Sequence, residues 1–254
     1  MILTVDIGNT TIALTGLERV GGDYNIVFAE KMPSDKGRRD FHTPVERLLD
    51  GHFARIEGAA LSSVVPELTE PVCRAVERVT GKAPVVISAK DCGSLTYGVN
   101  EPEKVGLDRI ADSAWAAARY PLPAVTADFG TATTFNVIGV GGVFLGGMIA
   151  AGMQTSLNAL SERAAQLPRL GLSFPERLIG RNTEECMLSG AVIGAAAMTD
   201  GIAARAETEL GAPVSLIITG GGAGLAEPFL AYPHIHEPYL LAKGLAYIYN
   251  EITR

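Results

Sequence analysis

The chain has 254 residues, 47% hydrophobic and 19% charged, a composition of compact folded proteins rather than disordered or fibrous ones. A formal charge of −7 argues against nucleic-acid phosphates or anionic membranes as bulk partners. Three widely spaced cysteines without a CxxC pair argue against a disulfide framework or a zinc cluster.

The first six residues are an apolar, β-favouring run that ends in Asp6-Ile7-Gly8-Asn9-Thr10-Thr11, and a second β-like stretch continues through Leu17. Tyr24–Glu30 reads as a third strand after the Gly21-Gly22-Asp23 turn. Residues 43–53 read as helix, Ala59–Val65 as strand, Glu67–Thr80 as a helix entered at Pro66, and Pro84–Ser88 as a short strand. Residues 89–105 are irregular, broken by Gly93, Gly98, Asn100 and Pro102. From Gly106 the apolar spacing of Leu107, Ile110, Ala111, Ala114, Trp115 and Ala118 predicts a helix, closed by Pro121 and Pro123.

In the second half a strand at Ala124–Asp128 leads into Phe129-Gly130-Thr131, and β-like segments follow at Thr133–Val140 and Val143–Leu145. Helices are expected over about Met153–Ala165 and Thr183–Leu210, then a buried strand Val214–Thr219 running into Gly220-Gly221-Gly222, then helices at 224–231 and 238–252. The longest apolar stretches, near 190–198, contain glycines and fall short of the roughly 20 residues a membrane span needs. An early acid at Asp6 precludes a signal peptide, so the sequence reads as cytoplasmic. His234-Ile-His236 has no zinc spacing.

One pattern organises the rest. Thr4-Val5-Asp6-Ile7-Gly8 reappears as Thr126-Ala127-Asp128-Phe129-Gly130, each ending a strand and followed by threonine-rich sequence, at nearly half-chain spacing. We read two similar α/β domains, 1–115 and 116–254. Such turns alone are ordinary hairpin chemistry. As a pair, each with a carboxylate, a glycine and hydroxyls, they suit phosphate oxygens bridged by a hydrated cation. No GxxxxGK[ST] and no GxGxxG at the first strand is present, which excludes a P-loop and a Rossmann turn. Thr219-Gly220-Gly221-Gly222-Ala223-Gly224 offers either a flexible turn or a side-chain-free surface for a nucleoside.

The segments DIGNTT (6–11), YGVN (97–100), GLDR (106–109), DFGTATT (128–134), GGMIAAGM (146–153), NT (182–183) with SG (189–190), and TGGGAG (219–224) resemble those of type III pantothenate kinases, within the acetate and sugar kinase/Hsp70/actin superfamily. Departures occur at Ala13 and Thr96. The resemblance implies two actin-like (ribonuclease H-like) domains with mixed sheets flanked by helices and an ATP cleft between them. It implies ATP-dependent phosphorylation of pantothenate, the first step toward coenzyme A, with Asp108 as proton acceptor.

On residues alone, Asp108 reads as a dipole-compensating acid in a helix's first turn, and Arg109 as a solvated charge or a carboxylate clamp. The resemblance puts Tyr97, Gly106, Leu107, Asp108 and Arg109 on pantothenate. It puts Asp6, Ile7, Gly8, Asn9, Thr10, Thr11, Thr131, Gly220 and Gly221 on ATP. Asp128 would hold a monovalent cation, K⁺ or NH₄⁺, and Asp6 would support Mg²⁺ through water. Asn182 with Glu185 reads as a capping box, whereas the resemblance has Thr183 reach the neighbouring subunit's site in a homodimer. The alternatives are a kinase for another small alcohol and a nucleotide-binding transcriptional accessory protein.

Overall fold

The opening apolar run forms β1 (Ile2–Ile7), which pairs antiparallel with β2 (Thr11–Val20), itself antiparallel to β3 (Asp23–Pro33). Gly21 and Gly22 both carry positive φ, 58° and 89°, as a tight hairpin between right-twisted strands demands. On the other side β1 is parallel to β4 (Gly58–Ser63), and β4 to β5 (Val85–Val86), giving the order β3-β2-β1-β4-β5. Helices α1 (His42–Leu48), α2 (Pro66–Thr80) and α3 (Leu107–Arg119) follow the strands. Proline opens α2 and a left-handed Gly81 closes it, while Leu68, Val72, Ala75 and Val76 turn inward.

Leu3, Val5 and Ile7 share a core with residues of α1 and α2. Alternation along the strand therefore sends Thr4 and Asp6 to the opposite face. Thr4 is buried there, its hydroxyl donating to the Thr15 carbonyl at 3.3 Å.

The second sheet repeats the plan. Strands β7 (Ala124–Phe129), β8 (Ala132–Gly139) and β9 (Val143–Ala151) form an antiparallel meander. β10 (Ser215–Thr219) lies parallel to β7 and β11 (His234–His236) parallel to β10. With β6 (Thr96–Tyr97) on the outer edge, the order is β11-β10-β7-β8-β9-β6. Here too a glycine pair of positive φ, Gly141 and Gly142, turns the hairpin, and both meanders carry a bulge, at Gly16/Leu17 and at Val137/Ile138. Helices α4 (Met153–Arg163), α5 (Thr183–Leu210) and the short α6 (Ala223–Ala226) belong to this half, and α7 (Leu240–Ile252) ends the chain. Two mixed sheets flanked by helices are the fold class that the resemblance implies.

The computed structural model describes residues 1–38 and 40–254, which divide into two compact units. One comprises Met1–Leu95, Asn100–Trp115 and Leu240–Arg254, the other Thr96–Val99 and Ala116–Tyr239. A division at 115/116 assigns α7 to the second half; instead α7 packs on β1, β2 and β4. The reason is local. Gly244 lets α7 close on α3, where a Cβ would stand 2.0 Å from the Ala111 carbonyl, and Lys243 pairs with Asp23 at 3.0 Å.

Other elements differ from expectation in length. The helix expected over 43–53 stops at Leu48, and Gly51, with φ of 76°, redirects the chain. β9 runs on to Ala151 because residues 146–151 keep pairing with β8, from Val137↔Gly146 to Ala132↔Ala151, and Gly146 takes a φ of 109° within it. Pro228, which has no N–H for the helical ladder, stops α6 at Ala226, and a single 3₁₀ turn, Glu227–Phe229, follows in place of further helix. Taken whole, the 28-residue α5 is long and apolar enough to cross a membrane by length and composition. Its buried residues, among them Val192, Ala195, Ala196 and Ala203, contribute to the core of the second unit.

Candidate active site

Within the first unit the Asp6–Thr11 turn is fastened through its carbonyl oxygens. Val64 N–H donates to the Ile7 carbonyl (3.0 Å), Ser34 Oγ to that of Gly8 (2.6 Å), Ser34 N–H to that of Thr10 (3.0 Å), and Gly8 N–H to that of Thr11 (3.0 Å). With these acceptors engaged, the exposed Asn9 and Thr10 present a turn dominated by N–H and hydroxyl donors, the chemistry of an anion cradle. Ser34, just past β3, was not foreseen from sequence; nothing in its local context marks it.

Asp6 is held from the neighbouring strand. The parallel register sets Asp6 against Ser62, whose Oγ donates to Asp6 Oδ1 at 2.6 Å. Burial pushes the Asp6 carboxyl up to about 6; the Ser62 hydrogen bond opposes this, and the charge of Asp108 adds to it.

Asp108 lies in the first turn of α3, where its Oδ1 accepts the Arg109 N–H at 2.9 Å. Gly106 explains itself here. A Cβ at that position would come within 2.4 Å of Asp108 Oδ1, so a side chain at 106 would displace the carboxylate. Arg109 is half-buried, which draws its pKa down, with Asp108 acting in the opposite direction. The first unit thus brings together Asp6, Ser62, Asp108 and Arg109.

The second unit builds its turn by the same rule. Gly222 N–H donates to the Phe129 carbonyl (2.9 Å), Gly152 N–H and Thr155 Oγ1 to that of Thr131 (3.0 and 2.7 Å), and Gly130 N–H to that of Ala132 (3.1 Å). Gly220 has φ of 91° and its Cβ would approach Asp128 Oδ1 to 2.1 Å, so both conformation and space require glycine. Gly152 is required by space alone: its backbone is extended, with φ of −66°, but a Cβ there would stand 2.2 Å from the Gly130 carbonyl oxygen. Asp128, Thr131, Gly220 and Gly221 are thereby gathered around one turn.

Tyr97 stands apart from these in the second unit, on β6, edge-on to Phe144 with ring centroids 6.2 Å apart. Asn182 caps α5 as expected, its side chain accepting Glu185 N–H at 2.9 Å. Thr183, in the first turn, lines a groove of about 870 Å³ with Ala150, Leu160, Cys186, Gly190 and Gly194.

In the ligand-free protein the raised Asp6 pKa means that folding binds a proton more tightly between the unfolded value of 3.8 and about 6. Stability contributed by this group is therefore greatest at low pH and falls as pH rises through 6, by roughly 2–3 kcal/mol in all. Asp6→Asn is expected to raise Tm over wild type by a margin that widens from pH 5 to pH 8. Thermal melts without nucleotide or Mg²⁺ measure it; a constant margin would contradict the burial argument.

A family model described as type III pantothenate kinase matches residues 2–205. The type III pantothenate kinase of Moorella thermoacetica is 35% identical over 259 positions covering 100% of both chains. Those of Roseiflexus sp. and Thermus thermophilus are each 37% identical, with coverage of 98% and 99% of both chains. Among solved structures, a conserved Campylobacter jejuni protein described as a Baf family transcriptional activator superposes with a TM-score of 0.61 at 18% identity, covering 99% of this chain and 98% of that one. The ethanolamine utilization protein EutJ from Carboxydothermus hydrogenoformans gives 0.51 at 16%, covering 97% and 89%. At those identities the structural matches speak for the fold alone. The sequence likeness, by contrast, runs end to end at more than a third identity, and it leads to one conclusion: this chain belongs to the type III pantothenate kinase family.

Proposed function

We propose that the protein transfers the γ-phosphoryl group of ATP to the primary hydroxyl of pantothenate, giving 4′-phosphopantothenate, the first step toward coenzyme A. Family membership supports the reaction, and the observation that carries it to particular atoms is the open space that Gly106 leaves for the Asp108 carboxylate. The hydroxyl oxygen bonds to the γ-phosphorus and the bond to the β–γ bridging oxygen breaks. ADP departs with that electron pair, and the hydroxyl proton passes to Asp108. Arg109 clamps the pantothenate carboxylate, a planar fork meeting a planar acid. Gly106, Leu107 and Tyr97 complete the acceptor contacts.

ATP is taken by the Asp6–Thr11 turn, Thr131, Gly220 and Gly221, whose N–H and hydroxyl groups suit phosphate oxygens once the carbonyls are engaged. Two mutually repelling carboxylates, Asp6 and Asp108, fit a divalent cation. Asp6 would hold Mg²⁺ through water, and bound with ATP the ion supplies charge neutralisation at the phosphates. Asp128, beside the Gly220 cradle, would hold K⁺ or NH₄⁺.

The protein acts as a homodimer in which Thr183 serves the partner's site. Its support is the groove along α5, floored by small residues, together with the exposed Ile149, Leu178 and Ile179, which are 66%, 68% and 80% accessible.

A coupled assay with ATP, Mg²⁺ and K⁺ should show pantothenate-dependent ADP release; release without an acceptor, or with another alcohol in preference, would favour the regulatory or alternative-kinase readings. Asp108→Asn should lower turnover at least about 100-fold while ATP still binds. Gly106→Ala should cost about tenfold or more in kcat with little change in Tm, since only the end of a side chain must move. A wild-type rate in Asp108→Asn would remove Asp108 as the base, and a wild-type rate in Gly106→Ala would remove Gly106 as the residue that makes room for its carboxylate.

Exchange of K⁺ for tetramethylammonium should depress activity in wild type, and Asp128→Asn should abolish the difference. Mixing inactive Asp108→Asn and Thr183→Ala chains should restore about a quarter of wild-type activity, because a twofold dimer reconstitutes one intact site in each heterodimer. No recovery after subunit exchange would place Thr183 outside the partner's site.

A further inference from the structure

We infer that Ser62 is a positioning residue for the phosphoryl-transfer site, holding the Asp6 carboxylate in one orientation through its Oδ1. The inference rests on the reading of Asp6 as the residue that supports the nucleotide's Mg²⁺.

β4 is a strand of small and apolar residues, Gly58-Ala59-Ala60-Leu61, every one buried, and Ser62 continues it with no solvent exposure at all. A hydroxyl in such a setting is costly unless its hydrogen finds an acceptor. That of Ser62 finds Asp6 Oδ1 at 2.6 Å, a short bond of the charge-assisted kind. The backbone leaves little slack, because residues 2–7 pair in register with 58–63 and Val64 N–H continues the ladder to the Ile7 carbonyl.

A carboxylate's terminal torsion is otherwise broad and nearly twofold. With Oδ1 tied to β4, the remaining lone pairs of Asp6 stay directed to one side for water or a hydrated ion.

The adjacent serine provides a contrast. Ser63 Oγ accepts from Val65 N–H (3.1 Å) and from Thr69 Oγ1 (2.8 Å), fastening the start of α2. Two neighbouring serines on opposite faces of one strand thus have separable duties, one toward the helix and one toward Asp6.

The test is calorimetric titration of ATP into the full chain with and without Mg²⁺, for wild type, Ser62→Ala, Ser62→Cys, Ser63→Ala, Asp6→Asn and the Asp6→Asn/Ser62→Ala double variant. Wild type should gain ATP affinity with Mg²⁺, and Ser62→Ala should lose about tenfold of that gain while metal-free ATP binding is unchanged. In turnover, KM for Mg·ATP should rise and KM for pantothenate hold. Ser63→Ala should keep the full gain whatever it does to Tm. Within the Asp6→Asn background, Ser62→Ala should add nothing.

A full Mg²⁺-dependent gain in Ser62→Ala, an equal loss without Mg²⁺, or a further loss on top of Asp6→Asn would each overturn the inference. Asp6→Asn retaining the gain would overturn the Asp6 reading and this inference with it, whereas Asp6→Asn losing it while Ser62→Ala does not would overturn this inference alone. Should Ser62→Ala not fold, Ser62→Cys, similar in size but a weak donor, carries the same readouts.

Discussion

A turn that receives phosphate must first dispose of its own carbonyl oxygens. Both Asp-Gly turns in this protein engage most of theirs, four in the first turn and three in the second, and much of the surrounding structure follows from how they do so. In the first unit the acceptors are engaged by Ser34, by Val64 just past β4 and by the turn's own Gly8; in the second, by Gly152, Thr155, Gly130 and the glycine loop after β10. Each carbonyl left facing a triphosphate would add repulsion in a region of reduced dielectric, so these bonds shape the field as well as the backbone. The resulting preference is for N–H and hydroxyl groups toward the ligand and acceptors turned away.

The glycines serve a second constraint, which is room for carboxylates. Gly106 stands against Asp108 and Gly220 against Asp128, each close enough that a methyl group would strike a carboxylate oxygen. A short acid with few rotamers is aimed by what it cannot touch as much as by what it bonds. Asp6 is aimed differently, by the serine opposite it on a parallel strand, and its proton affinity rises because it is buried near Asp108.

How much of this could be read from the chain depends on whether the cause is local. The Thr-x-Asp-x-Gly echo was legible because it is a contiguous pattern, and it led to two sheets with matching strand orders. Its threonines also have a structural explanation: Thr4 and Thr126 are buried and bond across to the antiparallel neighbour. GLDR and the glycine loop were legible as segments, though the reason for each glycine appears only against a carboxylate in space. Ser34 and Ser62 were not legible. Their partners lie 26 and 56 residues away, and strand register, which no local pattern near them encodes, brings them to the turn. The placement of α7 was missed for the same reason, since an amphipathic helix does not say which of two similar sheets it covers.

The return of α7 to the first unit has a consequence for how the chain matures. Lys243 meets Asp23, Tyr247 donates to Ser94 at 2.9 Å, and Asn250 donates to the Tyr24 hydroxyl at 2.7 Å, so contacts that complete the first sheet span more than 150 residues of sequence. During synthesis, β1 to β5 emerge early yet lack this cover until the whole of the second unit has been made. Their Thr4 and Asp6 face waits with polar groups and apolar neighbours open to water, a state prone to misassociation. The first unit to begin is thus the last to close.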